Sequence, residues 1–256
     1  MFSNWLKNLF LSPKREWPPS TLAPAERFYV VGDIHGRLDL LQKLLSELDP
    51  DCTVVFVGDY IDRGDQSAQV LRLLYAFSAD PKRKTVCLLG NHEDMLLRFL
   101  EDPQASATMW MHNGGLQTLT SFGINDFSAL PDKADKVADK LRHEIGVPLL
   151  AWLQDRPLLW TSGNVTVVHA ALDPSKPLET QPRNVCIWGH TGFRDSRRRD
   201  GQWVVHGHTI VTDPTVVDGV ISVDTGAFAT NVLTAAEVSR GQVRFLCTGR
   251  HGVTRL

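Results

Sequence analysis

An α/β fold with a second sheet is predicted by three features of the sequence. Between residues 27 and 100, short apolar runs lead three times into a polar turn and then an amphipathic helix. A helical stretch follows, and the last hundred residues turn to short β-branched runs separated by Gly, Pro and Asp. With 256 residues, 43% of them hydrophobic, the chain can fill one substantial core.

The first unit runs from FYVV through GDIHGR into LDLLQKLLSEL, where Leu38, Leu41, Leu44, Leu45 and Leu48 recur at helical spacing. TVVFV, GDYIDRGDQS and AQVLRLLYAF form the second, and KTVCLLG, NHED and MLLRFL the third. Residues 103–163 read as mostly helical and are expected to build a cap or rim, with Trp110, Asn113 and Gly115 as candidate substrate contacts. VTVVHA, WVVHGH, GVISVDTG, VLTAAEV and QVRFLC are expected to form the second sheet. Ahead of the folded domain (27–256), Pro13, Pro18, Pro19 and Pro24 forbid continuous helix, so residues 1–26 are expected to be a flexible arm.

The formal charge is −2, from 27 Lys and Arg against 29 Asp and Glu, so no global field draws in nucleic acid or anionic lipid, and no specific nucleic-acid binding is expected. Arg197, Arg198 and Arg199 read as a solvated loop run. Cys52, Cys87, Cys186 and Cys247 are widely spaced and read as reduced core thiols. No run approaches the roughly 20 apolar residues of a membrane span, and the expected location is the cytoplasm.

Polar clusters close three successive strands, where ligands of α/β sheets gather. Asp33 and His35 face one point if strand geometry persists for two residues, with Gly32 and Gly36 allowing a tight turn. Asp59 follows the second strand, and its two oxygens suit a bridge between two cations. Asn91 offers a neutral oxygen after the third, and His169 and His208 add imidazoles at later strand ends. Any one of these clusters also reads as helix capping; together they point to metal binding. Oxygen and nitrogen ligands without thiolates suit Mn²⁺, Fe or Zn²⁺, and two divalent ions, Mn²⁺ first, are expected.

GDIHG, GDYIDRG, GNHE, VHA and GHT, in this order, resemble the calcineurin-like metallophosphoesterases. More narrowly the chain is similar to the bacterial PPP-type serine/threonine protein phosphatases, over residues 27 to about 247 and including WMHNGGLQTLTSFG and DTGAF. Ile210 stands where many phosphodiesterases of the superfamily have a further histidine, which favours the PPP branch.

The resemblance implies a metallophosphoesterase-type sandwich of two mixed β-sheets flanked by helices. It implies one ion held by Asp33, His35 and Asp59, a second by Asp59, Asn91, His169 and His208, and direct attack of metal-activated water without a phosphoenzyme. His92 matches the general acid, Asp62 its partner, and Arg63 a phosphate clamp beside Asn91.

Two departures stand out: Ala171 replaces the glycine usual after VHA, and His190 replaces an arginine expected to bind phosphate, so that phosphate binding there falls to His190, more weakly and with pH dependence, or to Arg194; Arg63 and Asn91 are the other phosphate-binding candidates. The implied activity is phosphomonoester hydrolysis, on phosphoserine or phosphothreonine in proteins or on small phosphate esters. A symmetrical dinucleoside tetraphosphate hydrolase is the alternative, and a metal-binding regulatory module with little turnover a third reading.

Overall fold

The computed structural model describes residues 21–126, 133–193, 198–249 and 252–255. The three predicted units are present as β1 (Phe28–Val31), α1 (Leu38–Leu45), β2 (Thr53–Phe56), α2 (Ser67–Ala79), β3 (Thr85–Cys87) and α3 (Asn91–Glu101). The helical region follows as α4 (Pro103–Trp110), a link (Met111–Gly115) kinked at Gly114, α5 (Leu116–Ser121), α6 (Ala134–Ile145) and α7 (Val147–Gln154). Then come β4 (Leu159–Ser162), β5 (Val165–Val168), α8 (Arg183–Trp188), β6 (Trp203–His206), β7 (Thr215–Val217), β8 (Val220–Ser222), α9 (Ala227–Thr230), β9 (Thr234–Ser239), β10 (Gln242–Gly249) and β11 (Gly252–Arg255).

These strands make two mixed sheets, as expected: β11-β10-β9-β1-β2-β3 and β4-β5-β6-β8-β7. The division of the last hundred residues differs from the expectation, because VLTAAEV (β9) and QVRFLC (β10) both leave the second sheet: β9 pairs antiparallel with β1, Val30 opposite Ala236, and β10 pairs antiparallel with β9. The side chains of β9 explain its place. Ala236 and Val238 face the other sheet while Ala235 is buried against the helices, so the first half of β9 is covered on both sides and takes an interior position. Period alone cannot choose between two sheets.

Alternation along the strands sorts the core. Phe28, Val30, Val55 and Val57 meet Val165, Val167, Val205 and Ile221 between the sheets. Tyr29, Val31 and Phe56 point the other way, into the helical layer of α1 to α7. Outside the second sheet, Val168 and Val204 pack with Cys186 and Ile187 of α8.

Of the expected arm, residues 21–26 lie along the β4–β5 turn: Leu22 is buried between the sheets, and Ala23 N–H donates to Asn164 Oδ1 at 2.7 Å. Residues 1–20 lie outside the described residues. Arg198, expected in a solvated run, instead buries its side chain and donates to Asp173 O and Lys176 O, both at 3.1 Å. The four cysteines are free thiols, Cys87, Cys186 and Cys247 buried among them. Among the described residues no helix is long and apolar enough to cross a membrane.

Candidate active site

The ends of β1, β2 and β3 meet the ends of β5 and β6 across the two sheets. Strand geometry does not persist to bring Asp33 and His35 together, as the sequence suggested. The chain leaves β1 at Val31, and the N–H groups of Ile34 and His35 both donate to Asp59 O, at 3.0 and 2.9 Å. His35, Asp59, Asp62, Arg63 and His208 all take left-handed backbone, with φ of 45°, 53°, 69°, 67° and 60°. Such conformations cost on the order of 1–3 kcal/mol each in non-glycine residues and persist only where the surroundings enforce them.

Glu93 is one enforcer. Its buried carboxylate accepts the N–H groups of Asp59 (2.8 Å), Tyr60 (2.8 Å), Gly90 (3.1 Å) and Ile61 (3.3 Å), tying the β2 turn to the start of α3. Gly90 is required in that knot, since a Cβ there would lie 2.3 Å from Asp59 Oδ1.

His35 Nδ1 donates to Ile61 O at 2.7 Å and His169 Nδ1 to Val57 O at 3.2 Å, which leaves each Nε2 facing inward with a lone pair. His169 Nε2 lies 2.9 Å from Asn91 Oδ1 and 3.4 Å from Asp59 Oδ1, and His208 Nδ1 reaches the same Asn91 oxygen at 2.9 Å. Asp59 Oδ2 turns the other way, 3.6 Å from His35 Nε2 and 3.8 Å from His92 Nε2. Two groups of potential ligand atoms result, His35–Asp59–His92 and Asp59–His169–His208, each within 4.8 Å and sharing Asp59. A divalent cation would relieve lone pairs and oxygens that converge in this way, so the donor set fits metal ions. Asp33 falls in neither group; both its oxygens accept His208 N–H at 3.1 Å.

Burial lowers His35 to about 3 and His169 to about 4, so both rings are neutral, as ligands must be. Burial also works to raise Asp59, but any positive charge on His169, His92 or His35 favours its carboxylate, so it stays below the usual range and loses its proton before His35 and His169 do. Beside this cluster His92 Nδ1 donates to Asp62 Oδ2 at 2.7 Å. Arg63, half-buried, places Nη1 3.4 Å from His35 Nε2 and its guanidinium 4.5 Å from the ring centroid of Phe228.

A family model for calcineurin-like phosphoesterases matches residues 26–211. The chain belongs to the calcineurin-like phosphoesterase family. Within it, this calcineurin-like phosphoesterase is 30% identical to the asymmetrical bis(5'-nucleosyl)-tetraphosphatase PrpE of Bacillus velezensis over 232 residues, 80% of this chain and 86% of that protein. It is 32% identical to the symmetrical bis(5'-nucleosyl)-tetraphosphatase of Vibrio cholerae over 158 residues, 59% of this chain but 47% of the relative. A solved structure assigned as a diadenosine tetraphosphatase shares the fold with a TM-score of 0.62 at 21% identity, covering 90% of this chain and 99% of that one. As a member of this family it is a metal-dependent phosphoesterase.

Several residues of this calcineurin-like phosphoesterase stand elsewhere than the sequence suggested. Trp110 is fully buried instead of on a substrate rim, and its indole N–H donates to Asp62 Oδ1 and Oδ2 at 3.1 and 3.0 Å. Gly115 packs under that ring, and Asn113 Nδ2 donates to Met109 O at 2.8 Å. His190 turns into its own loop, Nδ1 accepting Gly192 N–H at 3.1 Å. Arg194 lies outside the described residues. His206, by contrast, is not among the candidate ligands and sits behind the centre with Nε2 2.8 Å from Ser222 Oγ.

Three residues were passed over by the sequence reading: Glu93, Asp224 and Phe228. Asp224 is buried beside Asp33, and burial pushes it up to about 6; the ring of Phe228 meets His35 edge-on at 5.3 Å. All three lie inside recognised motifs, GNHE and DTGAF, which is the signal that could have found them.

Proposed function

We propose that the chain is a dinuclear phosphohydrolase in which Asp33, His35 and Asp59 hold one divalent cation and Asp59, Asn91, His169 and His208 the other. The observation that carries this reading is the split of Asp59, whose Oδ1 faces His169 while Oδ2 faces His35 and His92. Bound there, two cations would supply Lewis acidity for a phosphoryl group and for an attacking water.

The chain's own side chains account for the remaining chemistry. With Nδ1 committed to Asp62, His92 carries a proton at Nε2, directed into the centre, and delivers it to the departing oxygen. Arg63, cushioned on Phe228, holds the phosphoryl oxygens as charge shifts toward the leaving group. The left-handed Asp62–Arg63 pair puts both side chains at one turn.

For the substrate we infer a dinucleoside tetraphosphate. The correspondence with asymmetrical tetraphosphatases runs along most of both chains, whereas the symmetrical relative aligns over less than half its length, which favours asymmetrical cleavage. A second reading, phosphoserine or phosphothreonine in proteins, is favoured by the buried His92–Asp62 pair. An alkoxide leaving group needs a proton far more than a nucleotide phosphate does.

The test is Mn²⁺-reconstituted protein given diadenosine tetraphosphate and a phosphothreonine peptide in parallel. ATP with AMP supports the first reading, two ADP the symmetrical alternative, and preferential phosphate release from the peptide the second. Loss of none of these activities on chelation would overturn the metal assignment itself.

A further inference from the structure

Asp62 is fully buried, and His92 is one of several donors around it. Trp110 of α4 divides its indole N–H between the two carboxylate oxygens, at 3.1 and 3.0 Å. Thr118 of α5 donates its hydroxyl to Oδ1 at 2.6 Å and accepts Asp62 N–H at 2.9 Å, so one side chain holds both the backbone and the carboxylate of the same residue. Ser67 Oγ also accepts Asp62 N–H, at 3.1 Å.

The kink at Gly114 between α4 and α5 extends the grip to the next residue. Gly114 O accepts Arg63 N–H at 3.4 Å, and Gly114 has φ of 100°. A Cβ at Gly114 would lie 2.5 Å from Arg63 N, so glycine alone lets the turn come this close. The break in helical geometry at Gly114 allows side chains on both sides of the turn to reach one carboxylate.

We propose that the kinked α4–α5 segment is a clamp on the proton-delivery machinery, with Trp110 and Thr118 as positioning residues that fix the Asp62 carboxylate and, through it, the His92 ring. This rests on the proposed role of His92 as proton donor. Neither residue touches the phosphate; each removes rotational freedom from a carboxylate that His92 alone would leave free to swing. Misplacement of a catalytic group by about 1 Å costs on the order of 10²-fold in rate, so loosening the clamp registers in turnover.

The experiment compares Mn²⁺-loaded wild type with Trp110→Phe, Thr118→Val, Thr118→Ser and His92→Ala on phenyl phosphate and 2,4-dinitrophenyl phosphate. Proton delivery matters for the first leaving group and little for the second. Trp110→Phe and Thr118→Val are expected to lower kcat on phenyl phosphate by ~10–100-fold, a fraction of the ~10²–10⁴-fold supplied by a general acid, with KM nearly unchanged. Dinitrophenyl phosphate turnover should stay near wild type, and Thr118→Ser should recover most of the loss.

Equal losses on both substrates, or an effect confined to KM, would overturn the clamp. Equal losses for His92→Ala would instead overturn the proton-donor reading beneath it. A readout free of turnover is the Trp110 indole proton in the metal-free protein. It should exchange slowly and shift in Asp62→Asn; exchange at the rate of a free indole would refute the contact.

Discussion

His169 Nε2 and Asn91 Oδ1 lie 2.9 Å apart, joining the end of β5 in one sheet to the start of α3 beside the other. Because His169 Nδ1 is already given to Val57 O, the pair presents a lone pair and a carbonyl oxygen to the same point. Chelation is therefore expected to abolish turnover, and Mn²⁺ to restore it. Asp59→Asn should bind fewer ions per chain than wild type by elemental analysis; unchanged stoichiometry would remove Asp59 from the bridge.

With His92 as the proposed proton donor, its charge state should set the alkaline limit of activity. Burial disfavours the charged ring, but Asp59 and Asp62 beside it lift His92 above the usual imidazole range. A proton donor works below its pKa, so turnover falls as pH rises through that value. Asp62→Asn withdraws one of the lifting charges, and the alkaline limb of the kcat profile should move to lower pH. A limb that stays in place would separate it from His92.

Stability of the metal-free protein should carry the opposite signature of His169. Its folded value near 4 lies below the ~6.5 of an unfolded histidine, so between these values the unfolded chain binds the extra proton. Acidification through that window therefore lowers stability, by about 1.4 kcal/mol per pH unit from this group. Urea unfolding at pH 6 and pH 5 should show a shallower dependence in His169→Gln than in wild type; parallel slopes would refute the shift.

Glu93→Ala leaves four backbone N–H groups around the β2 turn without their carboxylate. Burial, with the Asp59 charge beside it, pushes the Glu93 carboxyl up to about 8, so the loss is that of leaving buried donors unpaired, about 1–3 kcal/mol each and not additive; roughly 3 kcal/mol or more is expected in denaturant unfolding. A change below about 1 kcal/mol would mean that the turn holds its shape by other means.

Phe228→Ala removes the ring beneath Arg63. A cation–π contact of ~0.5–2 kcal/mol corresponds to a loss of about 2- to 30-fold in kcat/KM. Melting temperature should change little, since Phe228 is only partly buried. Unaltered kinetics would leave Arg63 indifferent to its support.

Much of this was legible in the sequence because strand, polar turn and helix change the hydrophobic period at each boundary, and Asp59, Asn91, His92 and His169 sit at those changes. What escaped depends on partners distant along the chain. Trp110 reads as any core aromatic until Asp62, 48 positions away, is placed beside it. β9 reads as one more late strand until its two-sided burial beside β1 is known. The left-handed turn at His35 was hidden because residue types that favour such backbone, such as glycine, flank the position without occupying it.

The division of the centre between two sheets also bears on how the protein is made. Asp33, His35, Asp59, Asn91 and His92 emerge early from the ribosome, but His169 and His208 belong to the ends of β5 and β6, far down the chain. β9, which flanks β1, is translated later still. A nascent chain halted before residue 208, or a fragment released by proteolysis within the second sheet, would hold the proton donor and the phosphate clamp without a complete ligand set. On the ligand set proposed above, hydrolytic capacity should therefore be withheld until synthesis is nearly finished, and an incomplete copy is expected to be inert toward the phosphate compounds around it.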